Sequence, residues 1–75
     1  MNIVLFGGPA CTLCDNARTM LQQCPGQITI KSVNVRQDNA LYHAYGARIP
    51  VIQRSDNHAE LAWPFSQNEL ESFLQ

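Results

Sequence analysis

The sequence predicts an α/β fold in the order β-α-β-α-β-β-α, a four-stranded mixed sheet with helices on both faces. Three observations predict it. The apolar run Ile3-Val4-Leu5-Phe6 is stopped by Gly7-Gly8-Pro9 and followed by apolar residues at helical spacing, the pattern of a buried strand that passes through a loop into a helix. A β-branched run from Ile28 to Val35 comes after a Pro-Gly break and leads into a second, shorter helical segment. Two short apolar runs then flank a polar turn, and a capped helix closes the chain. Each strand-helix-strand unit is expected to pair its strands in parallel, whereas a hairpin is antiparallel, so the sheet is expected to be mixed.

Taken in order, Asn2 to Phe6 form the first strand. In the helix that follows, Leu13, Ala17, Met20, Leu21 and Cys24 lie at offsets 0, 4, 7, 8 and 11, which makes one apolar stripe, and Pro25-Gly26 ends it. Thr12 and Asp15 have the spacing of a capping box at its start. In the second strand the alternation slips between Ile30 and Val33, as it would at a bulge or twist. Asp38 or Asn39 caps a short helix through Tyr45, on which Leu41, Ala44 and Tyr45 share a face and Gly46 is the expected left-handed stop. Ile49-Pro50-Val51-Ile52 and Ala59 to Trp63 read as the hairpin strands around Arg54-Ser55-Asp56-Asn57-His58, a turn with no expected role. The last helix is signposted best: Ser66 and Glu69 make a capping box, Phe65 and Leu70 occupy staple positions, and Leu70, Phe73 and Leu74 form the buried stripe.

With 75 residues, of which 45% are apolar, the chain is expected to be one domain over residues 1–75. A net charge of −1, from five basic and six acidic residues, offers no field to attract nucleic acid or an anionic membrane surface. No apolar run approaches the roughly 20 residues that span a bilayer, and the start lacks the basic region of a signal peptide. A cytoplasmic monomer is the expectation. Three cysteines are an odd number and too few for the disulfide framework of a small secreted protein, so a close pair is expected to be catalytic or metal-binding ahead of a merely structural staple.

That pair is Cys11-Thr12-Leu13-Cys14. Two intervening residues at a helix start put both sulfurs on the first turn, within the Cα separation of about 4.4 to 6.8 Å that a disulfide tolerates. The unpaired N–H groups and dipole of the helix favour a thiolate at Cys11, and side chains that lean toward the helix start leave Cys14 the more covered of the two. Asp15, one turn on, could oppose that thiolate or accept a proton from a thiol; otherwise it is a solvated first-turn acid. Cys-x-x-Cys also fits zinc, but no second Cys-x-x-Cys or His-x-x-x-His follows, and Cys24, His43 and His58 are the only spare ligands. The alternatives to redox chemistry are a metal or iron-sulfur module, with four thiolates shared across a dimer, and a non-catalytic adaptor. Cys24 sits on the apolar stripe as a small buried hydrophobe, Trp63, Tyr42 and Tyr45 read as packing, and His43 and His58 as surface residues.

The cysteine motif after the first strand, Ile49-Pro50 at the opening of the third, and the compact length are similar to glutaredoxins, with the element order of a thioredoxin fold. More narrowly, Ala44-Tyr45-Gly46-Ala47-Arg48-Ile49-Pro50-Val51 and Glu60-Leu61-Ala62-Trp63-Pro64-Phe65 resemble a family of short bacterial glutaredoxin-like proteins. The resemblance implies a thiol-disulfide oxidoreductase in which Cys11 attacks and Cys14 resolves the mixed disulfide. It further implies that Pro50 is cis and lies against the pair, that the backbone at Ile49 pairs with an extended substrate, and that Arg48 faces the same groove toward an anionic or glutathione-like ligand. No bound cofactor and no resident metal are implied, and the partner is a protein disulfide or glutathione as co-substrate. The chain departs from typical glutaredoxins in having Thr12-Leu13 for Pro-Tyr, Gly8 for a basic residue, and Trp63-Pro64-Phe65-Ser66 for a Gly-Gly-x-Asp loop.

Overall fold

In the computed structural model, which describes residues 1–75, strands β1 (Asn2–Gly7), β2 (Thr29–Asn34), β3 (Val51–Arg54) and β4 (Glu60–Ala62) form one sheet in the order β2-β1-β3-β4. Helices α1 (Thr12–Gln22), α2 (Asn39–Tyr45) and α3 (Gln67–Phe73) cover its two faces, with a 3-10 turn over Val35–Gln37 before α2. Strand alternation explains the layering. Ile3 and Leu5 of β1 and Ile52 of β3 point to one face, where they meet Ala17 and Leu21 of α1 and Leu70 of α3. Phe6 and Val51 point to the other, where Val35, Leu41 and Tyr45 pack on them.

The sheet is mixed, but not for the reason the element order suggested. β1 and β2 are parallel, in register from Asn2↔Thr29 to Gly7↔Asn34. β3 does not join β2; it lies on the other side of β1, antiparallel, with Phe6 opposite Val51. The second strand-helix-strand unit therefore does not pair its own strands. Its linker has only to move sideways across β1, two strand spacings of about 4.8 Å each, and a seven-residue helix of about 10 Å covers that distance. The consequence matters for function: the end of β1, the end of β2 and the start of β3 all lie at one edge of the sheet.

Several local expectations also change. The apparent slip in β2 is not a bulge, because its pairing with β1 is continuous. Ile28 and Ile30 pack on the α1 side and Val33 and Val35 on the α2 side, so the apolar residues change faces while the strand alternates normally. The buried stripe of α1 is Cys14, Ala17 and Leu21, continued by Cys24 just past the helix, and Leu13 is 44% exposed. Ala44 of α2 is exposed as well. Asp38 caps α2, its carboxylate accepting from Ala40 N–H and Leu41 N–H. Gly46 is right-handed (φ −53°) rather than left-handed. Its role is close approach: a Cβ there would stand 2.5 Å from the Tyr42 carbonyl oxygen.

α3 starts where its capping box places it, with Ser66 and Glu69 exchanging both hydrogen bonds and Phe65 and Leu70 buried. The hairpin turn is not inert. Arg54 pairs with Asp56 in that turn and donates to the carbonyls of Phe73 and Gln75 at 2.8 and 2.7 Å, which ties the end of α3 to β3. The bond to Phe73 satisfies a carbonyl that a helix end leaves without a partner, and the bond to Gln75 holds the residues just past it. No helix is long and apolar enough to cross a membrane.

Candidate active site

The buried strand β1 delivers the chain to Gly7-Gly8-Pro9, and the loop turns it into α1 with Cys11 at the N-cap. Cys11, not Thr12, is the capping residue: its sulfur accepts the Cys14 N–H at 3.1 Å. The expected Thr12–Asp15 capping box gives way because a sulfur one residue earlier already takes the orphan donor. Cys11 and Cys14 stand at disulfide distance, with their Cα atoms 5.2 Å apart. Cys14 is buried under the first turn and Cys11 is half-buried, as the lean of helical side chains requires.

Gly7 makes this arrangement possible. A Cβ on it would lie 2.8 Å from Cys14 Sγ, inside van der Waals contact, so only a glycine lets the helix seat its second sulfur on the end of β1. The glycine doublet was visible in the sequence as a strand stop, but its packing duty was not.

The crossing linker brings Ile49-Pro50 to the same sheet edge. Pro50 directly precedes Val51, which sits opposite Phe6, and Ile49 Cδ1 lies where it would meet a Cβ on Gly8 at 3.4 Å. The Ile49-Pro50 bond is cis, and the buried Pro50 accepts the Trp63 N–H at 3.0 Å through its carbonyl. A second cis bond, Trp63-Pro64, was not anticipated from the sequence. Arg48 is exposed; its guanidinium donates to the Ala44 carbonyl at 3.0 Å and lies 5.4 Å over the Tyr45 ring. It is thus engaged with α2.

Sequence reasoning missed the link that fixes α2 to the sheet. Tyr45 stacks on Phe6 at 4.3 Å and its hydroxyl donates to Glu60, which also accepts from Gln53 at 3.3 Å. The hydrogen bond to Glu60, more than burial, raises the Tyr45 pKa. On the other flank, a cleft of about 340 Å³ opens between α1 and β2, with Gly7, Cys14, Asp15, Arg18, Ser32 and Gln37 among its walls. Arg18 bonds the Ser32 hydroxyl there.

Cys24 is a free, buried cysteine between α1 and α3, its sulfur 3.4 Å from the Met20 carbonyl and 3.5 Å from Gln67 Nε2. Burial first, then the charge of Glu71, raises its pKa. His43, on α2, and His58, in the hairpin turn, are both exposed. No three His, Cys, Asp or Glu side chains converge on one point.

Comparison with known proteins agrees with this fold. The protein XcR50 from X. campestris, a Northeast Structural Genomics target, is 37% identical in its X-ray structure, with 96% of this chain and 93% of that chain covered and a TM-score of 0.83. The solution structure of the same target is 36% identical, covers 99% of this chain and 92% of that one, and has a TM-score of 0.85. Thioredoxin 1 from the thermophilic eubacterium Thermosipho africanus TCF52B is 20% identical, with 99% and 94% covered and a TM-score of 0.61; it shows the shared thioredoxin fold. No curated protein matches. The glutaredoxin-like domain (DUF836) matches residues 2–75, and with a thioredoxin fold that seats two cysteines at the first turn of α1, the chain belongs to that glutaredoxin-like family.

Proposed function

We propose that the protein is a small thiol-disulfide oxidoreductase that works through Cys11 and Cys14. The observation that carries this reading is the position of the pair: two sulfurs at disulfide distance on the first turn of α1, one half-buried and bonded by a backbone N–H, the other covered. The Cys14 N–H and the positive end of α1 favour negative charge on the Cys11 sulfur, and the thiolate is the attacking form.

In the reaction, the Cys11 thiolate attacks one sulfur of a substrate disulfide and releases the other half as a thiolate. Cys14 then loses its proton to solvent and attacks the Cys11 sulfur, which expels the second thiolate and closes the Cys11–Cys14 bond. Two electrons pass to the substrate. Ile49 and Pro50, brought to the same edge by the crossing linker, are the backbone against which an extended substrate would lie, with a protein disulfide or glutathione as the partner.

The test is capture. With Cys14→Ala the resolving step is removed and the mixed disulfide at Cys11 persists in cells. Mass spectrometry is expected to find glutathione or a defined protein on Cys11, released by dithiothreitol. An unmodified Cys11, or a partner held equally well by Cys11→Ser, overturns the redox reading in favour of an adaptor.

A further inference from the structure

The two edges of the sheet differ. β4 is three residues long, whereas β2 offers six along an edge with no strand beyond it. Thr29 N–H donates to the Met1 carbonyl and the register with β1 is unbroken, so Thr29, Lys31 and Val33 turn their backbone groups toward β1. The N–H and C=O of Ile30 and Ser32, and the Asn34 N–H, therefore point outward, and no turn, loop or cap bond between backbone groups reaches them. Natural sheets blunt an edge this long with proline, a bulge or several charges. β2 has no proline and no bulge, and Lys31 is its one charge. Apolar side chains stay half-buried at this rim on both faces, Ile30 on the α1 side and Val33 on the α2 side.

From this we propose that β2 pairs with β2 of a second copy of the chain, antiparallel about a two-fold axis through Ser32, and joins the two sheets into one. A two-fold normal to the sheet keeps both α1 helices on the same face. Residues opposite each other must then share a face, so the axis passes beside a residue and not between two. Centred on Lys31, the pairing would set two ammonium groups against each other at a non-hydrogen-bonded pair, where side chains come closest. Centred on Ser32, it brings Ile30 to Asn34 into the ladder and removes that clash. Ser32 exchanges both backbone bonds with its counterpart, and the Asn34 N–H of each copy donates to the Ile30 carbonyl of the other. Lys31 falls opposite the uncharged Val33, along which its aliphatic stem lies, and the two Val33 side chains stand diagonally across the axis. Any other centre shortens the ladder, because β2 spans only Thr29–Asn34. Lys31 thus selects a register and does not close the edge. This self-match is what favours a second copy over an unrelated strand, and a net charge of −1 per copy opposes the approach only weakly. Cys11 and Ile49-Pro50 lie at the end of β1 and the start of β3, outside this interface, so each copy keeps its own site and the inference stands apart from the redox reading.

Sedimentation equilibrium from about 10 μM to about 1 mM protein tests the association, the range expected of a narrow interface. The mass is expected to rise from one chain to two and to stop there. A single-chain mass throughout, or growth past two chains, overturns the proposal. Ser32→Pro deletes an outward N–H and no bond to β1, so it is expected to weaken dimerisation about tenfold or more while the monomer keeps its Tm. Crosslinking tests the register and serves even if that variant fails to fold. In a Cys11→Ser, Cys14→Ser background, Ser32→Cys places two sulfurs on residues whose Cα atoms are about 5.5 Å apart across the axis, within reach of a disulfide. It is expected to form covalent dimers under mild oxidation at least about tenfold faster than Thr29→Cys, whose counterpart lies far along the ladder. Equal crosslinking at the two positions, or a folded Ser32→Pro protein that dimerises like the parent, overturns the proposal.

Discussion

Replacing Gly7 with alanine tests whether the active-site geometry depends on the close contact between β1 and Cys14. The backbone at Gly7 does not object, since its φ is not in the positive range. The new Cβ does: it would lie 2.8 Å from Cys14 Sγ and 3.4 Å from Cys14 Cβ, with the sulfur held on a helix turn and unable to swing clear as the end of a long side chain could. Overpacking of this kind costs about 1 to 3 kcal/mol, and the stiffer unfolded chain returns about 0.4 to 1 kcal/mol. The difference spans about 0 to 2.6 kcal/mol, and its midpoint of about 1.3 kcal/mol lowers Tm by about 5 to 10 °C in a domain of this size. Circular dichroism melts of the oxidised and reduced protein measure it directly. Gly8→Ala is the control, because its Cβ would meet only the end of the Ile49 side chain at 3.4 Å, and its Tm is expected to stay close to that of the parent. A Gly7→Ala protein as stable as the Gly8→Ala protein in both redox states would refute the reasoning.

Tyr45 and Asp56 report on pH at opposite ends of the scale. The raised Tyr45 pKa means the folded state holds the phenol proton more tightly, so this stabilisation is complete below the unfolded value of about 10 and is lost as pH rises through the folded value; Tyr45→Phe is expected to abolish that alkaline loss in urea titrations. The hydrogen bond from Arg54 lowers the Asp56 pKa, so its stabilisation is present above the unfolded value of about 3.9 and fades as pH falls through the folded one; Asp56→Asn is expected to flatten that acid limb. Arg54→Met, which frees the Phe73 and Gln75 carbonyls, is expected to speed amide exchange in the last turn of α3 while β1 stays protected. In native reduced protein at neutral pH, iodoacetamide is expected to modify Cys11 first and Cys24 last, since Cys24 is buried with a raised pKa; equal rates at the two would contradict both placements.

The element order and the cysteine pair were legible because they rest on local chemistry. The stop at Gly7-Gly8-Pro9, the Ser66–Glu69 capping box and the Asp38 cap are short-range signals, and each lies where the sequence places it. Pairing was less legible. Nothing local tells β3 to bypass β2 and lie against β1, because that choice follows from how far a seven-residue helix reaches across the sheet. The stripe of α1 shifted from Leu13 to Cys14 for a similar reason: both residues fit an apolar spacing, and only the end of β1 decides which one is covered. Gly46 looked like a left-handed stop and proved to be a close-packing glycine against the Tyr42 carbonyl. The cleft beside Cys14 was not legible at all, since Asp15 and Arg18 meet Ser32 and Gln37 only after β2 pairs with β1.

Equilibration in redox buffers decides most directly whether the protein exchanges electrons through Cys11 and Cys14. The protein is held at a series of potentials from about −350 to −100 mV, a window wider than that of known dithiol sites, and its free thiols are then alkylated and weighed. A single two-electron transition, with Cys11 and Cys14 losing their labels together and Cys24 unchanged, is the predicted result. Two thiols that stay separately labelled across the whole window would contradict it.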